Sequence, residues 1–318
     1  MLELMLGSPG KSVPNLLKLV ELPYTGTPPV GWSGYSNAMI FDPYRFRAVL
    51  HGPDDGLLYP FELADSSFTP PDTANKSNRL REGTQFAETS PMGGAVLKWG
   101  VSGSYYKTDM LYVNSSLKYY PASTWTGNAM YFNQCTIDAT TYFFGGLYGS
   151  SVMSLNNMAV YKFDLNGTGI NSDASVTLAP LTYKCFIGHD DASIFIFGGA
   201  KSAASGNTVT QEVWRYLLAQ KVWQKVSNCP FPIGGGMNTP YYDGKFWFLG
   251  ATTINNHTSN KELWSYKVHD ASWKLEATYP ELSTYRTGQL FIYNDTLYYF
   301  FPQVGSSTST KIFTIRLG

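Results

Sequence analysis

The residues able to do acid–base, metal or nucleophilic chemistry are few and scattered. The chain has four histidines, His51, His189, His257 and His269. No two of them stand at the short spacing that puts a pair of imidazoles on one metal ion. His189 is followed by Asp190 and Asp191, a group that could hold a cation or move a proton. At a strand end it reads first as a hydrogen-bonded turn, because Asp side chains bond their own backbone a little further on. His51, just before Gly52 at the end of an apolar run, is a candidate ligand contact. Cys135, Cys185 and Cys229 are odd in number and widely spaced, which fits neither a disulfide framework nor a zinc knuckle. Buried free thiols are the expectation. There is no Gly-x-Ser-x-Gly elbow, phosphate loop or calcium loop. Gly234-Gly235-Gly236 lies between two strand patterns and lacks the helix that a phosphate cradle needs. The reading is a non-enzyme without a cofactor or metal.

Composition narrows the partners. The net charge is zero, with no basic field for nucleic acid or anionic lipid. No apolar run reaches the length of about 18 residues needed to span a membrane, so no membrane insertion is expected. The start, Met1 to Gly7, has neither the basic nor the long apolar region of a signal peptide. Charged residues make up 14% and aromatic residues 16% of the chain. The first is well below the roughly 25% of ordinary soluble domains. Many Tyr, Trp and Phe with abundant Gly suit short strands joined by tight turns.

Those strands repeat. Trp214-Arg215-Tyr216 is followed by Trp223, and Trp264-Ser265-Tyr266 by Trp273, both at an offset of 50. Pro23, Pro70, Pro121, Pro180, Pro230 and Pro280 mark the chain at intervals of 47, 51, 59, 50 and 50. Proline cannot donate to a ladder, so each is read as ending an outer strand. Apolar runs recur as Thr141–Gly146, Ile194–Gly199, Phe246–Ala251 and Leu297–Pro302, with weaker copies at Arg47–Gly52 and Ala95–Gly100. They are apolar on both faces, as strands covered on both sides are. Asp243-Gly244 and Asn294-Asp295 are hairpin turns by type, and Asp191-Ala192 is a third candidate.

A period near 50 with a hydrophobic strand, a Gly-Gly, then a Tyr and a Trp resembles the kelch repeat. The likeness is sharp around Gly198-Gly199 and Trp264, fair around Gly145-Gly146 and Tyr161, and rests on period and proline alone before residue 120. It implies an all-β fold: a six-bladed kelch-like β-propeller with four-stranded antiparallel blades. The blades would be 24–70, 71–121, 122–180, 181–230, 231–280 and 281–318 plus 16–23. The last copy, Lys311–Leu317, ends where a fourth strand is due. Leu16–Pro23 is an apolar strand without a partner, and Leu16 stands seven before its proline as Trp223 and Trp273 do. Residues 16–22 are therefore expected to supply the missing outer strand and close the ring, since pairing is the cheaper fate of an open edge. This leaves 1–15 as an N-terminal segment and no room for a second domain.

The enzymes of this architecture leave no signature here. The copper-ligand pattern of galactose-oxidase-like propellers and the Asp-box turns of sialidases are both absent from the sequence. A kelch-like sialic acid epimerase is the enzymatic alternative, because its site forms no local motif. A cytosolic kelch adaptor recognising a peptide is the other. In a propeller the loops between strands two and three share a face with those between blades. The first set, 146–159, 200–211, 251–261 and 302–310, is rich in Ser, Thr, Asn and Gly. The second carries Trp32, Arg79, Arg81, Trp125, Tyr183 and Arg286. Aromatic residues with Arg anchor interfaces, and Ser, Gly and Asn supply adaptable polar contacts. The competing role for each ring is packing between blades. Low charge with polar loops looks like outer-surface proteins of viruses, notably tailed bacteriophages. The expectation is a binding or assembly module on a virion, otherwise cytoplasmic, whose partners are other subunits or a surface glycan or receptor.

Overall fold

The computed structural model describes residues 17–30, 39–52, 55–74, 185–199, 209–233, 238–249, 261–282, 288–301 and 310–318, with the strands and short turns between 86 and 172 named below. From 86 to 133 and from 143 to 172 it describes the backbone alone. The described residues form strands and turns.

Strand β1 (Leu19–Glu21) comes first. A five-stranded sheet takes β2 (Met39–Asp42), β3 (Arg47–His51), β4 (Leu58–Glu62) and β5 (Ser67–Phe68) in antiparallel order, with β6 (Phe86–Glu88) joined in parallel to β2. A three-stranded sheet holds β7 (Ala95–Gly100), β8 (Thr108–Val113) and β9 (Tyr119–Trp125). A small ladder pairs β10 (Ala129–Met130) with β13 (Leu147–Tyr148). A four-stranded sheet contains β11 (Asn133–Ile137), β12 (Thr140–Phe144), β14 (Tyr161–Asp164) and β15 (Ile170–Ser172). Another runs β16 (Phe186–His189), β17 (Ser193–Phe197), β18 (Glu212–Leu217), β19 (Val222–Asn228). The next runs β20 (Tyr241–Tyr242), β21 (Lys245–Leu249), β22 (Glu262–Lys267), β23 (Ser272–Thr278). The last joins β24 (Gln289–Tyr293), β25 (Thr296–Phe301) and β26 (Lys311–Arg316) to β1.

Four sheets thus have the expected four antiparallel strands, and the region before residue 130 departs from that pattern. The departure is physical: β6 gives its ladder to the first strand of the preceding sheet, which no within-sheet alternation can reveal. Pro121 does not end a strand. It sits inside the edge strand β9 opposite Leu111, where the register shifts, a place that tolerates a missing donor.

The sequence signals act locally as their chemistry requires. Asp243 and Gly244 have φ of 49° and 72°, and Asn294 and Asp295 47° and 58°, which makes both hairpins the primed type that matches strand twist. Gly198 and Gly199 have φ of 64° and 94°. A side chain at Gly198 would stand 2.7 Å from the Ile233 carbonyl oxygen, so this exit from β17 admits glycine alone. Strand β17 is buried at every residue, as a strand apolar on both faces should be.

Burial follows from sheet stacking. Phe197 lies 4.8 to 5.8 Å, ring to ring, from Phe248, Phe246, Tyr266 and Trp273, joining β16–β19 to β20–β23. Phe41 stacks on Phe291 at 4.3 Å, and Phe61 meets Phe300 at 5.4 Å, joining the last sheet to the first. Cys135 packs with Cys185, Ile194 and Tyr216, joining β11 to β16–β18. The three cysteines are buried free thiols, and burial pushes the Cys229 thiol up.

Strand β1 lies antiparallel on β26, Leu19 opposite Ile315 and Glu21 opposite Phe313. Leu17 N–H and Leu22 N–H extend the ladder to Arg316 and Ile312. The Tyr279 hydroxyl donates to Leu17 O at 2.6 Å, and that of Tyr24 to Thr310 O at 2.7 Å.

Candidate functional site

In an antiparallel sheet the turns after the first and third strands lie at one end, and the loop after the second at the other. Neighbouring sheets keep these ends in common because their first strands run parallel: Ile187 bridges Asn238, and β2 pairs with β6. One set of ends is therefore a hairpin-turn face and the other a loop face.

A cleft of about 210 Å³ opens at the hairpin-turn ends of the inner strands. Phe41 of β2 and Ile292 of β24 form its apolar side. His189, Asp190 and Asp191 come from the β16–β17 turn, and Asn238 to Tyr241 from the segment entering β20. Asp190 is partly spent on its own turn: its Oδ1 accepts from Ala192 N–H at 2.9 Å, and its N–H donates to Ser193 O at 3.0 Å. His189 Nδ1 lies 3.3 Å from Asp190 O. This is the hydrogen-bonded turn the triplet suggested, with the side chain of Asp190 as its tie. Asp191 is exposed.

The opposite wall is tied by hydrogen bonds. Thr239 N–H donates to Ile187 O at 2.7 Å, and its hydroxyl to Trp247 O at 2.7 Å. Asn238 is buried and its amide donates to Leu290 O at 3.4 Å. Tyr241 is 40% exposed, and its ring leans on Phe246 at 5.0 Å. Its phenol is raised above the ordinary range, by partial burial first and then by Asp190, Asp191 and Asp243, with Arg215 opposing. Arg215 is held by Ser193 Oγ at 2.8 Å and lies 5.4 Å over the Phe195 ring. Beyond the cleft, the Tyr242 hydroxyl donates to Asp295 at 2.5 Å, a bond that raises its own phenol.

Such a cleft can hold one side chain or a small polar molecule. Partly exposed carboxylates beside an aromatic ring suit a cation or a hydrogen-bond donor. Among the described residues no three His, Cys, Asp or Glu side chains gather as metal ligands do, and no helix is long and apolar enough to cross a membrane.

Trp32, Arg79, Arg81, Tyr183 and Arg286 lie outside the described residues. Trp125 ends the edge strand β9 with its backbone opposite Thr108, so it is not on an interblade loop. His51 ends β3 opposite Leu58 and is buried. Of the cleft residues, only His189, Asp190 and Asp191 carried a sequence signal. Asn238, Thr239 and Tyr241 carried none beyond a Tyr-Tyr-Asp-Gly turn, because what matters about them is their neighbours from other sheets.

No family model matches the chain, and no curated protein matches it. Among the solved structures similar to it is one described as "Structure of YjhT", with a TM-score of 0.66. That likeness covers 90% of this chain and 95% of the other at 10% sequence identity. The fold is a β-propeller with four-stranded antiparallel blades.

Proposed function

We propose that the chain is a six-bladed kelch-like propeller, closed by its N-terminal strand, that works as a non-enzymatic binding or assembly module. Six blades follow if β6 is counted as the inner strand of β7–β9, against which it packs. The third strand of that sheet carries a register shift between Met110 and Leu111, as the third strands β18 and β22 do at Val213/Trp214 and Leu263/Trp264. Closure is supported by inner-edge contacts from β2 to β6, β6 to β11, β11 to β16, Ile187 to Asn238 and Asn238 to Leu290, returning through Phe291 to Phe41.

The observation that carries the functional reading is the small size of the cleft at the hairpin-turn ends of the inner strands. The cleft bounded by Phe41, Ile292 and Tyr241 has a volume of about 210 Å³, against the roughly 300–1,000 Å³ of sites that enclose a small-molecule ligand. A narrow mouth lined by turn-tying groups suits recognition of a surface better than transformation of a substrate. On the loop face, Trp32, Arg79, Arg81, Trp125, Tyr183 and Arg286 are the proposed anchors, with His51 behind them. The partners are other subunits of a larger particle, a viral tail or capsid part in keeping with the composition, or a surface glycan.

Native mass spectrometry and a glycan array test this. The expected result is self- or co-assembly, or glycan binding lost in Trp32→Ala or Trp125→Ala. Catalytic turnover of a free or linked sugar by the purified chain would overturn it.

A further inference from the structure

The hairpin-turn face carries aromatic residues where a soluble turn would place polar ones. The turn from Pro43 to Phe46 exposes Tyr44 by 51% and Phe46 by 51%. Phe46 has a φ of 56°, a left-handed conformation in which Gly or Asn is the unstrained choice and a bulky residue is an outlier. Its ring rests 5.5 Å from Tyr293 at the end of β24. The residue before Tyr293 is Ile292, which lines the cleft. Tyr293 packs on the cluster that holds Phe41, and Phe41 lines the cleft whose far wall is Tyr241.

The charges nearest Tyr241 are mostly negative. Asp190, Asp191 and Asp243 bear on Tyr241, and Arg215 is the cation that opposes them. Arg215 is anchored to Ser193. Asp295 lies next along the same face, bonded to Tyr242. The cations beside Phe46 are occupied: Arg45 and Arg47 pair with the buried Asp42 at 3.3 and 3.4 Å. An arriving cation thus meets carboxylates and a half-exposed ring together.

We propose that this face docks a basic segment of a partner protein, one Lys or Arg side chain entering the cleft between Tyr241 and the Asp190–Asp191 turn while Tyr44 and Phe46 take the apolar part of the contact. Charge complementarity selects the occupant. A guanidinium or ammonium gains carboxylate hydrogen bonds and the face of a ring, whereas an acidic segment meets like charge. The cleft's volume of about 210 Å³ admits one such side chain, and the aromatic patch beside it supplies the kind of ring that anchors interfaces. This extends the binding-module reading to the opposite face of the propeller. A negative glycan array leaves it standing, and its own failure leaves the loop face untouched.

The test is fluorescence anisotropy of the full chain with a labelled ten-residue peptide of alternating Arg and Leu, the same peptide with Glu for Arg, and free arginine amide as competitor. The Arg peptide is expected to bind, more weakly as salt rises, and the Glu peptide not to bind. Asp191→Asn with Tyr241→Ala should weaken the Arg peptide at least tenfold. Asp190→Asn keeps the Oδ1 that caps the turn, so it removes charge without removing the tie, and should also weaken binding. Phe46→Gly satisfies the turn's backbone and should weaken the peptide several-fold while leaving arginine amide unchanged. Circular dichroism melts confirm that each variant is folded. Equal binding of the Glu peptide, insensitivity to both aspartate variants, or binding of arginine amide without the peptide would each overturn the proposal.

Discussion

In the sheet β16–β19 the Trp214 indole donates to Glu212 at 3.1 Å, and in β20–β23 the Trp264 indole donates to Glu262 at 2.7 Å. Each sheet shifts register one residue before that Trp. Each sets a Tyr on its third strand against a Trp on its fourth, with ring centroids 5.1 and 5.0 Å apart. Past the fourth strand, Cys229 N–H bonds Gln211 O and Tyr279 N–H bonds Lys261 O. The differences fall elsewhere. Arg215 reaches inward to Ser193, while its counterpart Ser265 reaches outward to Glu276. Cys229 stays in the core, while the Tyr279 hydroxyl reaches Leu17. What recurs builds a blade, and what varies meets a neighbour or the cleft.

The shared frame breaks most severely at the seam between the two sheets. Phe197 is fully buried against four rings. Phe197→Ala should cost about 3–5 kcal/mol, lost transfer energy plus a residual cavity, measured as a drop in the denaturation midpoint with unchanged slope. At the matching place one repeat on stands Leu249, also buried. Phe197→Leu gives the first sheet the second's side chain and should cost about 1.5 kcal/mol, because most of the volume is kept. Equal losses for the two variants would mean that the seam is not tightly packed.

Tyr279 and Cys229 occupy equivalent places, and only the first holds the N-terminal strand. Tyr279→Phe should cost about 1 kcal/mol, the worth of one hydrogen bond. Hydrogen exchange should show lost protection at Leu19–Glu21 and unchanged protection in β17. Cys229→Ala should leave β1 protected. If Tyr279→Phe loosens nothing in β1, the phenol is not what ties the strand down.

The outward bond from Ser265 to Glu276 gives the sheet β20–β23 a pH dependence. Burial pushes the Glu276 carboxyl up, but bonds from Lys274 and Ser265 outweigh it and hold the carboxyl below its ordinary range. The unfolded chain therefore binds this proton more readily than the folded one. The stabilisation is present above the unfolded value and is lost as pH falls through the lowered folded one. Lys274 is exposed, so screening keeps the contribution to about 0.5–1 kcal/mol. Glu276→Gln should show that deficit at neutral pH and match the parent in strong acid. The fourth strand β19 has Val226 at the corresponding place, and Val226→Ala should show a deficit that does not vary with pH.

This contrast also explains what could be read in the sequence. The frame was legible because its parts are local. Asp243-Gly244 and Asn294-Asp295 specify their turns alone, and the seven-residue distance from Leu16 to Pro23 marked a strand that does lie on β26. Asp191-Ala192 does form the tip of the β16–β17 hairpin, but the turn is not of the primed type, and the side chain of Asp190 ties it, which a dipeptide rule does not register. The pairing of β6 with β2 was hidden because it is parallel and crosses between sheets. The cleft was hidden for the same reason. Phe41, Asp191, Tyr241 and Ile292 meet only when first strands from separate sheets come together, and no spacing along the chain encodes that.

The smallest expected effect asks how far the frame extends into the first sheet. The turns Leu63–Ser66 and Val268–Ala271 have the same length, and each closes on a left-handed residue, Ser66 at φ 57° and Ala271 at 50°. That conformation costs an L-residue roughly 1–2 kcal/mol. Glycine removes the cost but gives the unfolded chain more freedom, worth about 0.4–1 kcal/mol the other way. Ala271→Gly should therefore stabilise by about 0.5 kcal/mol, read as a small rise in denaturation midpoint. Ser66 adds a test of equivalence, because its carbonyl also accepts from Thr25 N–H at 3.2 Å, a backbone bond that glycine keeps. If β4–β5 is the same hairpin as β22–β23, Ser66→Gly gains the same amount. A gain at Ala271 with a loss at Ser66 would mean that the first sheet reaches the same backbone by a different balance of forces, and that the repeat is one of shape rather than of energetics there.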